Sequence, residues 1–476
     1  MSKFKLTISS DNYYMDSNSF AGKGDSDIAI LSAGSLSVVG VDSITGSTGT
    51  DSIRLLGLTA AQALSIFGVS TALSAVTTLT YDTNNTLAAT VDSLLGTVVA
   101  EAITLKNTGT VKSVNLKYAS GSTTVADTLT IATPASPATL VSDTITLSGA
   151  SKINLTSDST TGATDNIIGS SGADNITLSD GDAESAPATA FWNYKSGGGM
   201  DTITGDGGAD KITLTAASSI KYATGGNTSD SIVGSSGNDS VSLVAATTLN
   251  YATGGGTDTV IGSTGVDTLT LTTAAVILKY SSNGITNQDK LTGGAGADLI
   301  TLTVGSNVSI AGGGGNDVIV GSSSADTIVV TSASTTIQGG GGADALTGAT
   351  TTGADVFNYI SKSDSGATST TRDTITNFNA GDSAAAPPVT SVDTLKFTGL
   401  QVGTFALLSG DRATDTTTTA VAEWGGDGNS QARFYDSGTS IGLLEIDVDG
   451  NAIADMSIML TGVRLANLTG ADFSWT

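Results

Sequence analysis

The sequence contains neither cysteine nor histidine. The absence of cysteine excludes disulfide bonds, catalytic thiolates and thiolate metal sites. The absence of histidine removes the usual general base and the commonest zinc ligand, so a Ser-His-Asp hydrolase and an H-E-x-x-H metalloprotease are both excluded within this chain. We therefore expect a protein that is not an enzyme. A polysaccharide lyase that works with Lys, Arg and Tyr is the catalytic alternative left open.

Proline and aromatic residues are scarce, whereas glycine is abundant. The 476 residues include 5 Pro, 5% aromatic residues and 60 Gly. A globular core of the ordinary kind needs more large side chains, but a solenoid needs only short rows of Ile, Val and Leu stacked from coil to coil. The composition therefore favours a repetitive fold over several globular domains.

Positive charge and long apolar runs are also scarce. Lys and Arg number 19 against 44 Asp and Glu, which gives a formal charge of −25. Electrostatic repulsion argues against nucleic acid or an anionic membrane as a partner and favours a cation. No apolar run reaches the ~18 residues of a membrane span, and the first residues lack the apolar segment of a cleavable signal peptide. Neither a membrane span nor export through an N-terminal signal is expected.

A phrase of the form G-x-x-G-x-D-x-apolar recurs along the chain, for example GSSGADNI from Gly169 and GSTGVDTL from Gly262. Its Asp, the second Asp of a repeat unit, lies nine residues after a first Asp that often follows its own Gly cluster. The pairs are Asp165/Asp174, Asp201/Asp210, Asp230/Asp239, Asp258/Asp267, Asp289/Asp298 and Asp317/Asp326. Successive first Asp residues from Asp201 to Asp344 are 29, 28, 31, 28 and 27 residues apart.

A third apolar segment lies between successive Asp pairs, for example SIKYAT from Ser219 and TLNYAT from Thr248. Alternating apolar residues closed by Gly-rich turns predict three short strands in each unit. We interpret the unit as one three-sided coil with two Asp ladders. The first ladder would contain Asp165, Asp201, Asp230, Asp258, Asp289, Asp317 and Asp344, and the second Asp174, Asp210, Asp239, Asp267, Asp298, Asp326 and Asp355.

The nonapeptide G-G-x-G-x-D-x-apolar-x resembles the repeat of RTX (repeats-in-toxin) proteins over roughly residues 160–360. The resemblance implies an all-β, right-handed parallel β-solenoid whose Asp carboxylates and Gly carbonyls bind Ca²⁺. Stacked carboxylates about 4.8 Å apart would otherwise repel by ~3 kcal/mol at an effective dielectric of 20. The alternative is that each Asp only caps its Gly turn by local hydrogen bonds. The candidate carbonyl ligands belong to Gly205, Gly207, Gly234, Gly262, Gly293, Gly312, Gly314, Gly339 and Gly341.

Composition and motifs divide the chain into four parts. Residues 1–56 are predicted to form the start of the solenoid. Residues 57–105 are predicted to be an Ala- and Leu-rich insertion that is either helical or a set of diverged strands, and residues 106–360 are predicted to form the RTX-like solenoid. Residues 361–476 resemble the C-terminal block of RTX proteins exported by type I transporters, including the serralysin proteases. That resemblance implies a C-terminal β cap and a type I secretion signal.

Within the C-terminal part, the segment DVDGNAIAD has oxygen-bearing side chains at alternate positions, as calcium loops do. It lacks the terminal Glu of an EF-hand loop. Asp447, Asp449 and Asn451 are therefore either calcium ligands or the polar residues of a hairpin.

The acidic, Cys-free, Ser/Thr-rich and Lys-poor composition resembles that of type I-secreted surface-layer (S-layer) proteins of Gram-negative bacteria. This resemblance implies an extracellular structural protein of the cell surface that self-assembles into a lattice in the presence of calcium. Its partners would be further copies of itself, the type I transporter and, as a candidate, cell-surface polysaccharide. The alternative is a secreted calcium-dependent adhesin or an ice- or glycan-binding solenoid, which requires a flat face of Thr rows.

Overall fold

A computed structural model describes eight strands before residue 114 and most of the chain after it. Beyond residue 114, the structure does not describe residues 121–122, 125, 132–142, 158–164, 181–190, 206–207, 225–229, 284–287, 332–333, 350–352, 381–391, 409–423, 425, 437–440 and 464–467. The chain forms two compact units, Met1–Val241 and Ser242–Thr476.

The first unit consists of short parallel strands that alternate between two sheets. Each strand pairs with the next strand but one along the chain, so one coil of the solenoid contains two strands. The strands are β1 (Tyr13–Met15), β2 (Ser19–Ala21), β3 (Ile28–Ser32), β4 (Asp42–Thr45), β5 (Ser52–Leu56), β6 (Thr78–Asp82), β7 (Asp92–Leu95), β8 (Ala102–Lys106), β9 (Asn115–Ala119), β10 (Asp127–Ile131), β11 (Thr144–Leu147), β12 (Lys152–Ser157), β13 (Asp165–Ile168), β14 (Asn175–Asp180), β15 (Phe191–Lys195), β16 (Asp201–Thr204), β17 (Lys211–Leu214), β18 (Ser219–Ala223) and β19 (Asp230–Val233). Strand β20 (Ser240–Leu243) begins at the end of this unit, and its last two residues are the first two of the second unit.

The second unit has the same two-sheet parallel arrangement and adds an antiparallel meander near the C-terminus. Its strands are β21 (Thr248–Ala252), β22 (Asp258–Ile261), β23 (Thr268–Leu271), β24 (Ile277–Ser281), β25 (Asp289–Thr292), β26 (Leu299–Leu302), β27 (Asn307–Ala311), β28 (Val318–Val320), β29 (Thr327–Val330), β30 (Thr336–Gln338), β31 (Ala345–Thr347), β32 (Val356–Tyr359), β33 (Asp373–Thr376), β34 (Thr394–Phe397), β35 (Ala406–Leu408), β36 (Gln431–Asp436), β37 (Ile441–Asp447), β38 (Met456–Thr461) and β39 (Phe473–Trp475).

The core of each unit follows from the alternation of apolar and polar residues. In β16, Asp201 and Ile203 are buried, whereas the Thr residues between and after them face outward. Ile203 lies in register with Tyr222 of the next coil, and in the second unit Leu269 lies in register with Leu291. Burial of each such side chain contributes about 1.5–3 kcal/mol, so a thin core remains stable because it is repeated in every coil.

The predicted parallel β-solenoid is confirmed, but the prediction of a three-sided coil is wrong. From β1 to β35, consecutive described strands lie in opposite sheets, so the three strands of a 28-residue unit occupy one and a half two-strand coils. The first strands of consecutive units therefore lie in different sheets. In the first unit, β16 pairs with β14 and β18, whereas β19 pairs with β17.

The C-terminal strands cap both sheets of the second unit. Strand β38 pairs with β33, the last solenoid strand of one sheet, and β39 pairs with β34, the last strand of the other. The rings of Phe397 and Trp475 stack with their centroids 4.5 Å apart across the second pairing. This arrangement satisfies backbone groups that would otherwise be exposed at a sheet edge.

The described part of the 57–105 segment is strand. Residues 78–82, 92–95 and 102–106 form β6, β7 and β8, which pair in parallel with neighbouring coils. Residues 57–77 lie outside the described part of the chain. Among the described residues, no helix is long and apolar enough to cross a membrane.

Candidate calcium sites

Two kinds of turn join the sheets. Long turns, such as 169–174, carry the Gly motif and end on an Asp, whereas short turns, such as 215–218, lead into the third apolar strand of a unit. In the first unit, one edge of the solenoid stacks the turns 148–151, 169–174, 196–201 and 215–218, in the order short, long, long, short. Long turns therefore occur as stacked pairs.

The second unit repeats this arrangement on both edges. One edge stacks the long turns 262–267 and 282–289 before the short turn 303–306. The other edge stacks the long turns 293–298 and 312–317 between the short turns 272–276 and 331–335.

Each stacked pair joins the second Asp of one unit to the first Asp of the next unit. The backbone NH of the second Asp donates a hydrogen bond of 2.8–3.0 Å to Oδ1 of the first Asp. These bonds join Asp174 to Asp201, Asp210 to Asp230, Asp267 to Asp289, Asp298 to Asp317 and Asp326 to Asp344. The prediction of separate ladders of first and second Asp residues is therefore wrong, because each stack joins a second Asp to a first Asp.

Most of the stacks contain two Asp residues rather than a continuous ladder. In the coil that follows the first Asp, the residue in register with that Asp is apolar. Asp201 lies in register with Ile220, and Asp289 lies in register with Val308. On the other side, Oδ1 of the second Asp accepts the backbone NH of a residue next to a third strand, as Asp267 does from Thr247 at 2.9 Å. The third strand starts one residue earlier than the neighbouring strand, since Ser219 precedes Ile220 and Asn307 precedes Val308, and an apolar residue therefore lies where the ladder would continue.

A third Asp joins the stack at the C-terminal end of the second unit. The backbone NH of Asp344 donates to Oδ1 of Asp373 at 2.8 Å. Two further bonds join a predicted Asp to one that was not predicted. The backbone NH of Asp355 donates to Oδ1 of Asp393, and in the first unit the backbone NH of Asp143 donates to Oδ1 of Asp165. The nine-residue spacing did not identify Asp143, Asp373 or Asp393, although each immediately precedes or begins a strand, as the predicted Asp residues do.

The second carboxylate oxygen has a different partner in the two kinds of Asp. In the second Asp of a unit, Oδ2 accepts a backbone NH from its own turn, as Asp174 does from Ser170 at 2.7 Å. In the first Asp, Oδ2 accepts the hydroxyl of a buried Tyr from the preceding strand. These bonds are Tyr194 to Asp201, Tyr222 to Asp230, Tyr251 to Asp258 and Tyr280 to Asp289. Tyr118 donates in the same way to Asp127, an Asp outside the predicted pairs that begins β10.

The Tyr residues were missed by the sequence analysis. The available signal was a Tyr in each of these third segments at seven to nine residues before the next first Asp. The segments before Asp317 and Asp344 carry Ile310 and Ile337 in place of the Tyr. Among the described residues, Oδ2 of Asp344 has no hydrogen-bond partner, although the side chain is only 2% exposed.

All fourteen Asp residues predicted from the sequence are buried, with 0–2% of their surface exposed. Burial raises the pKa of Asp174, Asp267, Asp298 and Asp326 above the ordinary value, and burial raises that of Asp344 to about 7. The charges of neighbouring Asp residues raise the pKa further for Asp174 and Asp267. Ionised carboxylates in this position destabilise the fold unless a cation neutralises them.

Glycine is required where two long turns stack. Gly313 and Gly315 have φ of +88° and +93°, and a Cβ on Gly313 would lie 2.0 Å from the carbonyl oxygen of Gly294. A Cβ on Gly293 would lie 2.2 Å from the Gly312 carbonyl oxygen and 2.4 Å from Asp298 Oδ2. Backbone carbonyls and carboxylates are thus brought close together at the stacked turns.

The carboxylate and carbonyl oxygens of the stacked turns are suitable ligands for calcium. Ca²⁺ prefers carboxylate and carbonyl oxygens in flexible geometry. The stacked turns 293–298 and 312–317 supply the side chains of Asp298 and Asp317 and backbone carbonyls of Gly residues. The candidate residues Gly293, Gly312 and Gly314 belong to one stacked pair, and Gly339 and Gly341 belong to another. Gly205, Gly234 and Gly262 begin or lie at the start of other long turns, whereas Gly207 lies outside the described residues. Their role as ligands stays a prediction.

Comparison with protein families agrees with this arrangement. Residues 196–216, 224–242, 253–271 and 286–308 match the RTX calcium-binding nonapeptide repeat. The chain carries RTX repeats. Residues 302–473 match the C-terminal domain of the M10 serralysin peptidases. Together the RTX repeats and the serralysin-type domain support a secreted protein of the RTX family, and no curated protein matches the chain.

Proposed function

We propose that this RTX protein is a calcium-dependent structural protein of the bacterial cell surface that assembles into an S-layer lattice. The observation that carries the proposal is the regular series of buried Asp pairs at the edges of a two-sheet solenoid. Each pair links two coils, so calcium would fix neighbouring coils of a unit relative to each other. Stacked coils whose geometry is fixed present a repeating surface, which can form repeating contacts with further copies.

A structural role also agrees with the chemistry of the side chains. The sequence has no His and no Cys, and its predicted functional carboxylates are buried in turns rather than gathered in an open cleft. We therefore propose that the chain itself is not an enzyme. Incubation with cell-surface polysaccharides and measurement of unsaturated products would reveal lyase activity if this proposal is wrong.

Export through a type I transporter is the second part of the proposal. The serralysin-type C-terminal domain supports it, because related exported proteins carry their signal at the C-terminus. Removal of the last sixty or so residues should retain the protein inside the producing cell. Removal of the first ten residues should leave export intact. Secretion of the C-terminal truncation would contradict type I export.

Lattice formation is tested by electron microscopy. Protein purified in chelator should gain β-structure in circular dichroism and form two-dimensional sheets when calcium is added. The calcium required is expected in the range of about 10⁻⁴–10⁻³ M for extracellular modules. Magnesium should substitute poorly, because it demands tighter octahedral geometry. Folding without sheet formation would retain the calcium sites but reject the S-layer role.

An adhesin or an ice- or glycan-binding solenoid is the second candidate. It is favoured by a row of outward Thr residues, because Thr130 lies in register with Thr104 on one side and Thr156 on the other. This candidate predicts a calcium-loaded monomer that binds glycan or inhibits ice recrystallisation. Replacement of the three Thr residues by Lys should abolish that binding while leaving calcium-dependent folding unchanged.

A further inference from the structure

The side chain of Lys362 lies against an acidic loop of the C-terminal meander. Its Nζ donates to Oδ2 of Asp449 at 2.6 Å and to Oδ1 of Asp455 at 3.0 Å. Lys362 belongs to the segment between β32 and β33, whereas both partners belong to the loop between β37 and β38. The contact therefore joins two parts of the second unit that are 87 and 93 residues apart in sequence.

The acidic loop has the oxygen arrangement expected of a cation site. One carboxylate oxygen from each of Asp447, Asp449 and Asp455 lies within 4.8 Å of the other two. Asp447 is fully buried, and its two oxygens accept the backbone NH groups of Gly450 and Ala452, each at 2.7 Å. The loop is thus closed around a point where three negative charges converge.

Lys362 supplies a positive charge at this point. Its hydrogen bond to Asp449 raises the pKa of the ammonium and lowers that of the Asp449 carboxyl, so both groups remain ionised. Further hydrogen bonds hold the same segment against β38. Ser365 Oγ donates to the Ser457 carbonyl, and Ser457 Oγ donates to the Gly366 carbonyl.

We propose that Lys362 is the built-in cation of the Asp447 loop, so that this loop closes onto the end of the solenoid without calcium. The ammonium group of Lys362 neutralises the carboxylates that a divalent ion would otherwise bind at the D-x-D-x-N segment. The C-terminal meander is then attached to the segment after β32 by an internal contact. Calcium is bound by the stacked turns and not by this loop.

The number of bound calcium ions tests the proposal better than stability does. The side chains of Lys362 and Asp449 are 42% and 39% exposed, and exposed ion pairs contribute little to stability. The full chain at saturating calcium would be studied by native mass spectrometry, which counts bound ions. The wild type would be compared with Lys362→Gln, Asp455→Asn and the double variant.

Asp455→Asn should bind as many calcium ions as the wild type, because the loop holds none. Lys362→Gln should bind one more, because the three carboxylates become available, and the double variant should return to the wild-type number. Lys396→Gln removes the same charge from β34 and should leave the number unchanged. Loss of one ion in Asp455→Asn, or no gain in Lys362→Gln, would overturn the proposal. The count is made on monomers, so it is independent of lattice formation.

Discussion

The hydroxyl of Tyr280 donates a 2.7 Å hydrogen bond to Oδ2 of Asp289. Both residues are buried: Tyr280 has no exposed surface, and Asp289 is 1% exposed. Tyr280 is the last but one residue of the third strand β24, and Asp289 is the first Asp of the next unit, so the bond connects the apolar core to a stacked turn. Oδ1 of the same Asp accepts the backbone NH of Asp267 in the adjacent coil at 2.9 Å.

Tyr280→Phe should destabilise the calcium-loaded protein. The substitution keeps the ring in the core but leaves a buried carboxylate oxygen without its donor, which costs about 1–3 kcal/mol. Urea denaturation at saturating calcium would measure the loss, and calcium titration should show a higher midpoint for folding. Tyr435→Phe is the matched control, because its hydroxyl bonds to Glu445 away from the turns. An equal shift of the calcium midpoint in both variants would refute the role of Tyr280.

The pairing of Asp residues predicts which double substitutions affect one calcium site and which affect two. Asp267 and Asp289 belong to one stacked pair, so Asn at both positions should weaken one site. Asp289 and Asp298 are nine residues apart but belong to different pairs, so Asn at both should weaken two sites. Native mass spectrometry at the lowest calcium concentration that fills the wild type would count the ions. Equal losses from the two double variants would contradict the stacked-pair arrangement.

Gly313→Ala should disrupt the stacked pair that contains Asp298 and Asp317. The new Cβ would meet the Gly294 carbonyl oxygen at 2.0 Å and would also force a non-Gly residue into φ of +88°. Gly399→Ala is the matched control, because φ is +68° there but no atom lies within 4 Å of the new Cβ. In both variants the left-handed backbone conformation lowers the stability by about 1–2 kcal/mol. Isothermal titration should show a lost calcium site in Gly313→Ala only.

The calcium-free protein should become more stable as pH falls from 8 towards 5. Burial raises the pKa of Asp373 to about 8, that of Asp344 to about 7 and that of Asp393 to about 6. Because each pKa is higher in the folded than in the unfolded state, folding takes up protons between about pH 4 and pH 8, and stability falls as pH rises through this range. Circular dichroism in chelator would follow the folded fraction.

Asp373→Asn provides the control for this pH dependence. Asn can still accept the backbone NH of Asp344 but cannot ionise, so the variant should show a weaker dependence between pH 6 and pH 8. Saturating calcium should reverse the trend above neutral pH, because the ionised carboxylates are then neutralised. Calcium-free stability that increases with pH over this range would contradict the burial of charged carboxylates.

Several features of the site could be read from the sequence. The period-two alternation and the Gly-rich turns predicted short parallel strands, and the nine-residue spacing identified Asp residues that are all buried at the ends of turns. Asp373 and Asp393 were not identified, because the segments before them lack the Gly motif. Lys362 was not identified either, since its partners lie about ninety residues away and no local pattern connects them.

By itself, the sequence determined the strands, the turns and the residues that bear charge, because alternation, Gly content and Asp spacing are local properties of the chain. Only the tertiary structure decided which Asp residues meet. The repeat contains three strands, but a coil contains two, because short and long turns alike reverse the chain onto the opposite sheet. Asp174 therefore lies beside Asp201, a residue of the next unit, instead of beside another second Asp. The number of strands in a coil depends on how the turns pack, and the length of the repeat does not specify it.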